Sequence, residues 1–230
     1  MLSDFPITKR WPAADPSVIQ LYSLATPNGI KVAAMLEETG LGYEAHKVSF
    51  ADADQMTPEF LSLNPNNKIP AIIDPHGPDG KAIGLWESGA ILIYLAEKTG
   101  TLLPSDPLKR AHSLQWLMWQ MGGAGPMFGQ FGFFFKMGGA AFEDKRPLAR
   151  YTDEAIRLLG VMDAQLAANE FIAGDAYSIA DIALWPWINV LTGFYGAGEH
   201  LQVARYPHIQ RWLHAALARP ASQAALTVPS

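Results

Sequence analysis

The stretch LYSLATPNGIKV, residues 21–32, decides the first part of the fold because it joins two sequence patterns. The residues from Val18 to Leu24 form a short apolar run of the length of a β-strand, and those from about Gly29 carry apolar side chains at helical spacing as far as Gly40. Thr26 and Asn28 therefore lie at or just before the first turn of a helix that follows directly on a strand. We predict that this helix begins at about Gly29.

Main-chain amides without intrahelical partners gather at such a junction. A helix N-terminus stabilises an anion through these N–H groups and its dipole, and a neighbouring hydroxyl and side-chain amide add further donors. Thr26 and Asn28 supply both groups. The same residue types are also good N-caps, and Pro27 suits a first helical turn, so the stretch in isolation favours capping over ligand binding.

A second junction of this kind occurs in NNKIPAIID, residues 66–74, where Pro70 stands immediately before a strand. A cis Ile69–Pro70 bond would turn the main-chain N–H and C=O of Ile69 outward, where they could pair with an extended, peptide-like ligand. Only about 5% of X-Pro bonds in folded proteins are cis, so the sequence alone favours trans.

The third junction is WESGA, residues 86–90, where Ser88 is suited to cap the next helix and Glu87 precedes it. Capping is the simpler interpretation. A carboxylate just outside a helix start could also pair with a ligand ammonium while the helix amides hold a carboxylate. Such an arrangement would clamp a zwitterion of the amino-acid type.

The sequence pattern changes character near residue 105. From 18 to 104, strand-like and helical runs alternate in the order βαβαββα, which predicts a mixed sheet with helices packed on it. The proline-containing segment 102–108 suits a linker, and the runs beyond it have helical spacing. We predict an N-terminal extension at 1–17, an α/β domain at 18–104 and an all-helical domain at 105–230.

The composition of the 230-residue chain, 49% hydrophobic and 17% charged, is that of an ordinary globular protein. Its formal charge of -5 lacks the basic excess that nucleic acid or anionic lipid favours, so neither nucleic acid nor a membrane is an expected partner. No apolar run reaches the length of a membrane helix, and residues 1–17 lack the apolar core of a signal peptide. The expected location is cytoplasmic.

Cysteine is absent from the chain. The protein therefore supplies no disulfide framework, no thiolate nucleophile and no cysteine metal site, and no metal is expected. One stretch also departs from the helical pattern: residues 122–140 are rich in glycine and phenylalanine. We predict a helix break there with an apolar loop that could line a pocket, and plain structural packing is an equally open alternative.

Five motifs taken in order resemble the glutathione transferase superfamily: TPNGIKV, EFLSLNPNNKIPAI, ESGAILIYLAEKTG, GPMFGQ and YSIADIALWPW. Within it they look like the nu class, the bacterial glutathione-dependent disulfide-bond oxidoreductases that are related to fungal nitrogen-regulator proteins. The resemblance covers residues 18 to about 220. It implies a thioredoxin-like N-terminal domain followed by an all-α domain.

The resemblance also implies a binding site for glutathione and a cis peptide bond at Pro70. Thr26 and Asn28 would face the sulfur as the catalytic pair, in place of the tyrosine, serine or cysteine of other classes. The residues implied to hold glutathione are Asn28, Lys68, Ile69, Pro70, Glu87, Ser88 and Arg150.

Arg150 has the weakest basis among these residues. By position it matches the segment that provides a glutathione-binding arginine in the nu class. A surface ion pair with Glu154, four residues later on the same helix, is about equally consistent with the sequence. Further along, Ser178 and Asp181 look like the capping box that precedes a core helix of the superfamily. We assign both of these residues to folding.

With no cysteine in the chain, the reactive sulfur must come from glutathione, whose thiolate a helix N-terminus would stabilise. The nu-class resemblance implies two reduced glutathione molecules, or one oxidised molecule, in each site, and a thiolate that attacks a small disulfide or a hydroperoxide. Two alternatives stay open: conjugation of glutathione to an apolar electrophile, and a non-enzymatic glutathione-binding or regulatory protein. The fold does not decide between them.

The superfamily resemblance further implies a homodimer. In most members of the class the first strand begins almost at the start of the chain, whereas here residues 1–17 precede it. This extension is either a disordered tail or a segment that docks on the body of the protein or across the dimer interface. Its apolar residues Phe5, Ile7 and Trp11 favour docking.

Overall fold

The computed structural model of the protein describes residues 1–229. They form two compact units: Met1–Thr101 joined by the segment that begins at Pro220, and Leu102–Arg219. The division after Thr101 lies close to the boundary predicted between 104 and 105. None of the helices in the described part of the chain is both long enough and apolar enough to cross a membrane.

The first unit has the predicted order βαβαββα and the thioredoxin-like arrangement. Its first helix ends at Gly40, as predicted, with that glycine in the left-handed conformation. The elements are β1 (Ile19–Ser23), α1 (Pro27–Thr39), β2 (Tyr43–Lys47), α2 (Pro58–Leu63), β3 (Ala71–Asp74), β4 (Ile83–Trp86) and α3 (Ser88–Thr99).

The strands form a mixed sheet in the order β2-β1-β3-β4. Strand β1 runs parallel to β2 and antiparallel to β3, and β3 is antiparallel to β4. In this register Tyr22 lies opposite Ala71, which lies opposite Trp86. The end of β1, the start of β3 and the end of β4 therefore share one end of the sheet, called below the Tyr22 end.

The second unit is all-helical, as predicted. Its longer helices are α4 (Pro107–Trp119), α5 (Gly125–Phe135), α6 (Arg146–Ala168), α7 (Ile179–Thr192) and α8 (Pro207–Leu217). The capping box predicted before α7 is confirmed: the Ser178 hydroxyl accepts from the Ala180 amide, and the Asp181 carboxylate accepts from the Ser178 amide at 2.9 Å. The buried Asp181 also accepts from Trp212 Nε1 at 2.8 Å, which ties α8 to the start of α7.

The loop predicted within residues 122–140 was wrong, because the chain stays helical as far as Phe135. A π-helical turn, Gln120–Ala124, leads from α4 directly into α5. Gly132 in α5 allows Tyr195 to pack closely against this helix, since a Cβ on Gly132 would lie 2.1 Å from the Tyr195 ring. The alternative of structural packing is the correct one for this helix.

The C-terminal residues were assigned to the wrong unit. The predicted helical domain extends to 230, whereas helix α9 (Pro220–Ala225) packs against α1 and belongs to the first unit. Alanine dominates this short segment. Such small side chains allow a close contact between helices but give no sign of which unit they join.

The N-terminal extension docks on the body of the first unit. Ile7 is fully buried in a cluster with Tyr22, Phe60 and Ile69. Trp11 packs against the same cluster, and its Nε1 donates to the main-chain carbonyl of Lys47 at 3.0 Å. The alternative of a disordered tail is therefore wrong.

We predict that Ile7→Ala lowers the free energy of unfolding by about 2–5 kcal/mol, because it leaves a cavity in this cluster. The exposed neighbour Lys9 offers a matched control, and Lys9→Ala is expected to change stability by less than about 0.5 kcal/mol. Urea unfolding of both variants is the measurement. Equal midpoints would show that the extension contributes nothing to the core.

Candidate functional site

The three junctions singled out in the sequence meet at the Tyr22 end of the sheet. Thr26 follows β1, Ile69 precedes β3 and Glu87 follows β4 directly. Since the register aligns these strand ends side by side, the first turns of α1 and α3 and the loop before β3 face a common region.

The first junction is held tightly by Gly29. A Cβ at this position would lie 2.0 Å from the main-chain oxygen of Leu24 and 2.4 Å from the hydroxyl oxygen of Ser23, so no other residue fits without a shift of the backbone. Helix α1 begins at Pro27, slightly earlier than the predicted start at Gly29. Its first turn is therefore pressed against the end of β1.

Thr26 occupies the N-cap position of α1, but its side chain does not cap the helix. Its main-chain oxygen accepts from the Ile30 amide at 2.8 Å, whereas its hydroxyl makes no capping hydrogen bond in the described part of the chain. The capping interpretation of this hydroxyl is wrong. Half-buried beside the first-turn amides, Thr26 and Asn28 place a hydroxyl and a side-chain amide where an anion would bind.

At the second junction, the Ile69–Pro70 peptide bond is cis, as the family resemblance implies. The loop before it is fixed by Asn64, whose Nδ2 donates to the Lys68 carbonyl at 2.5 Å and whose Oδ1 accepts from the Asn66 amide at 2.9 Å. Within residues 1–229, the main-chain N–H and C=O of Ile69 form no hydrogen bond. They remain available to a peptide-like ligand.

Asn64 is a structural residue of the site that the sequence interpretation missed. Its side chain is buried, and its bond to the amide two residues on is the turn geometry that asparagine favours. The Asn-Pro-Asn run was the available signal. The side chain of Lys68, a residue of this loop, is exposed.

The third junction differs from its prediction in one detail. Glu87, and not Ser88, is at the N-cap position of α3, and Ser88 is the first residue of the helix. Glu87 has φ 72° and ψ 110°, a conformation that L-residues other than glycine rarely adopt. Its carboxylate is exposed and makes no capping bond in the described chain. Strained residues of this kind cluster at ligand sites.

Lys31 is the second residue that sequence analysis missed. It lies in α1, is fully buried, and its Nζ donates to Ser88 Oγ at 3.3 Å, which links α1 to the start of α3. Burial lowers the pKa of Lys31 to about 7, and the Glu87 carboxylate opposes this shift. Because Lys31 lies within a helical run of mostly apolar residues, its sequence position gave no reason to single it out.

Arg150 lies in the first turns of α6, in the second unit, with its side chain exposed. The pair with Glu154, which the sequence left open, is not formed. Glu154 instead accepts two hydrogen bonds from Arg157, of 2.7 and 2.8 Å. These bonds lower the pKa of the Glu154 carboxyl, and the charge of Arg150 adds a smaller lowering effect.

The arrangement in the first unit suits a zwitterionic, peptide-like ligand. Helix N-termini at α1 and α3 favour carboxylate or thiolate, the main chain of Ile69 matches an extended peptide, and the Glu87 carboxylate matches an ammonium. Comparison with known families agrees with this geometry. Residues 17–97 match the glutathione S-transferase N-terminal domain, and residues 147–215 match the glutathione S-transferase C-terminal domain.

The chain belongs to the glutathione S-transferase family. Among its relatives, Disulfide-bond oxidoreductase YghU of Escherichia coli is 47% identical over 212 residues, which are 88% of this chain and 72% of the relative. Disulfide-bond oxidoreductase YfcG of the same organism is 45% identical over 213 residues, covering 91% of this chain and 94% of YfcG.

Solved structures of glutathione transferases share the whole fold. One from Pseudomonas putida, with one glutathione disulfide bound per subunit, is 56% identical with a TM-score of 0.98, covering 100% of this chain and 99% of its own. One from Burkholderia graminis, with two glutathione molecules bound per subunit, is 61% identical with a TM-score of 0.98, covering 100% and 96%. The thioredoxin-like domain followed by a helical domain is thus confirmed.

We predict that Glu87→Gly is more stable to urea than Glu87→Ala by about 1 kcal/mol, because glycine adopts φ 72° without strain. Both variants lose the carboxylate, so the comparison isolates the backbone conformation. Equal free energies of unfolding for the two variants would contradict the strain at this position.

Proposed function

We propose that the protein is a glutathione-dependent disulfide-bond reductase of the nu class, in which the thiolate of bound glutathione is the nucleophile. The observation that carries the proposal is the convergence of Thr26, the Ile69 main chain and the Glu87–Ser88 pair on one end of the sheet. It is supported by the disulfide-bond oxidoreductases among the relatives and by the glutathione or glutathione disulfide in similar structures.

The γ-glutamyl end of glutathione fits the third junction in this proposal. Glu87 would pair with its α-ammonium, while the Ser88 hydroxyl and the first amides of α3 would hold its α-carboxylate. The peptide part would pair with the main-chain N–H and C=O of Ile69 beside Pro70, as an added strand pairs with a sheet. These contacts leave the cysteinyl sulfur to lie toward α1.

Three further residues complete the proposed set of contacts. Asn28 would donate to the ligand near the sulfur, and the exposed ammonium of Lys68 would bind the glycyl carboxylate. Arg150 remains a proposed contact that rests on the family resemblance. Its support in the structure is an exposed guanidinium whose neighbour Glu154 is already bound to Arg157.

The proposed reaction uses two glutathione molecules and no protein thiol. The first thiolate attacks a sulfur of a small disulfide, the S–S bond breaks, and one substrate thiol leaves after taking a proton. The second glutathione thiolate then attacks the glutathione sulfur of the mixed disulfide, which yields glutathione disulfide and the second substrate thiol. With a hydroperoxide, the first attack breaks the O–O bond, the alcohol leaves after taking a proton, and the sulfur becomes a sulfenic acid. The second glutathione reduces this acid to the disulfide with loss of water.

Thr26 acts in this mechanism as a hydrogen-bond donor to the thiolate and not as a base. A free thiol has a pKa of about 8.5, and donors at a helix N-terminus lower that value, so more thiolate is present near neutral pH. Because reduction of disulfides requires reduced glutathione, we place the protein in the cytoplasm. We also propose a homodimer of the superfamily type.

The direct test is turnover of hydroxyethyl disulfide by the purified protein with reduced glutathione, followed as formation of glutathione disulfide. We expect this rate to exceed conjugation of a chloronitrobenzene electrophile, and no turnover with S-methylglutathione, which has no thiol. The reverse order of rates would make the protein a conjugating transferase. Glutathione binding without turnover of a disulfide, a hydroperoxide or an electrophile would make it a binding or regulatory protein.

We predict that Thr26→Val raises the pKa of bound glutathione by about one unit and slows disulfide reduction about tenfold at neutral pH, with recovery as the pH rises. Thr26→Ser keeps the hydroxyl and should restore both values. Thiolate absorbance against pH, measured with glutathione bound, is the measurement. Stability should change little in either variant because the hydroxyl does not cap α1, and identical titration curves would remove Thr26 from the mechanism.

A further inference from the structure

A charged side chain is buried behind the proposed site for the γ-glutamyl end. Lys31 has no exposed surface, and its Nζ lies 3.3 Å from Ser88 Oγ. Lysine is almost never fully buried without a specific partner, because removing its ammonium from water costs several kcal/mol of free energy. An apolar side chain would fill the same space between α1 and α3 without this cost.

The charges around Lys31 single out Glu87. Helices α3 and α9 both pack against α1, and α9 (Pro220–Ala225) carries no titratable side chain. The carboxylate that acts on Lys31 is that of Glu87, at the start of α3. The ammonium of Lys31 thus donates to the Ser88 hydroxyl and is stabilised by the charge of the Glu87 carboxylate. Both groups are proposed above to bind the ligand.

The remaining titratable groups of these helices are engaged or lie elsewhere. Toward the end of α3, Tyr94 and Lys98 both bind Asp74, with distances of 2.7 and 2.8 Å to its Oδ2, and Glu97 is exposed. Toward the end of α1, Glu37 accepts from the Tyr43 hydroxyl at 2.6 Å, and Glu38 follows it in the chain.

We propose that Lys31 is a positioning residue for glutathione: its ammonium donates to Ser88 Oγ and so directs the Ser88 hydroxyl proton toward the α-carboxylate of the ligand. A serine hydroxyl has one proton, and accepting a hydrogen bond on its oxygen leaves that proton for another acceptor. The positive charge also favours a carboxylate at the N-terminus of α3. This inference rests on the proposed function, because it takes glutathione as the ligand.

The sign of the resulting pH dependence follows from the role of the ammonium. Protonated Lys31 is the form that binds well, so affinity is full below its pKa of about 7 and falls as the pH rises through that value. A neutral amine would accept the Ser88 proton and turn it away from the ligand. By linkage, ligand binding raises the pKa of Lys31 and takes up protons near neutral pH.

Calorimetry with S-methylglutathione tests this, because a blocked thiol releases no proton on binding. Titrations at about pH 6 and about pH 8.5, in buffers of different ionisation enthalpy, compare the wild type with Lys31→Met. The wild type should take up protons and bind about tenfold more weakly at the higher pH, whereas the variant should bind weakly at both. The exposed Lys81 of the same unit provides the control Lys81→Met, which should match the wild type.

The outcomes separate the two proposals. No binding of S-methylglutathione to the wild type would overturn both the function and the role of Lys31. Binding with the same affinities and the same proton uptake in wild type and Lys31→Met would overturn the role of Lys31 alone. The ligand's own amino group contributes equally to both proteins and cancels in this comparison.

A measurement on the wild type covers the case in which Lys31→Met does not fold, although removal of a buried charge is often neutral or stabilising. NMR titration of the lysine side-chain carbons gives the pKa of Lys31 with and without S-methylglutathione. We expect the ligand to raise this pKa by about one unit, the shift that corresponds to the tenfold change in affinity. An unchanged pKa would overturn the inference.

Discussion

The contact between Gly29 and the end of β1 is the constraint on which the site depends. A Cβ there would lie 2.0 Å from the Leu24 oxygen, so only glycine lets α1 start directly against the strand. This close approach brings the first-turn amides of α1 to the Tyr22 end of the sheet. It also sets where Lys31, in the next turn, meets α3 at Ser88. One absent side chain thus places both the proposed thiolate site at α1 and the buried lysine behind the proposed γ-glutamyl site at α3.

The register of the sheet brings the other two junctions to the same end. Tyr22, Ala71 and Trp86 lie in one row, and the last two adjoin backbone that departs from ordinary strand or helix geometry. Next to that row are the cis bond before Ala71 and the positive φ of Glu87. Polar groups that regular secondary structure would pair are therefore left to face a ligand, while the central strands β1 and β3 stay buried and paired on both sides.

Local signals made much of this predictable. The strand-to-helix junction at Thr26, the C-cap at Gly40 and the capping box at Ser178 each rest on a few neighbouring residues, and the structure has all three. Apart from Asn64, whose hydrogen bonds are local, the misses depend on distant contacts. The packing of Gly132 against Tyr195 and the burial of Lys31 beneath Ser88 join residues far apart in the chain, so periodicity and local composition carried no sign of them.

The first unit is built from both ends of the chain, and this has a consequence for biosynthesis. Ile7 enters its core at the start of the sequence, and α9 covers α1 at the end. Domains generally fold as they leave the ribosome, N-terminal part first. Here the sheet emerges early, but α9 follows the whole second unit in the sequence, so the unit that carries the proposed ligand site is completed only after the second unit has been synthesised.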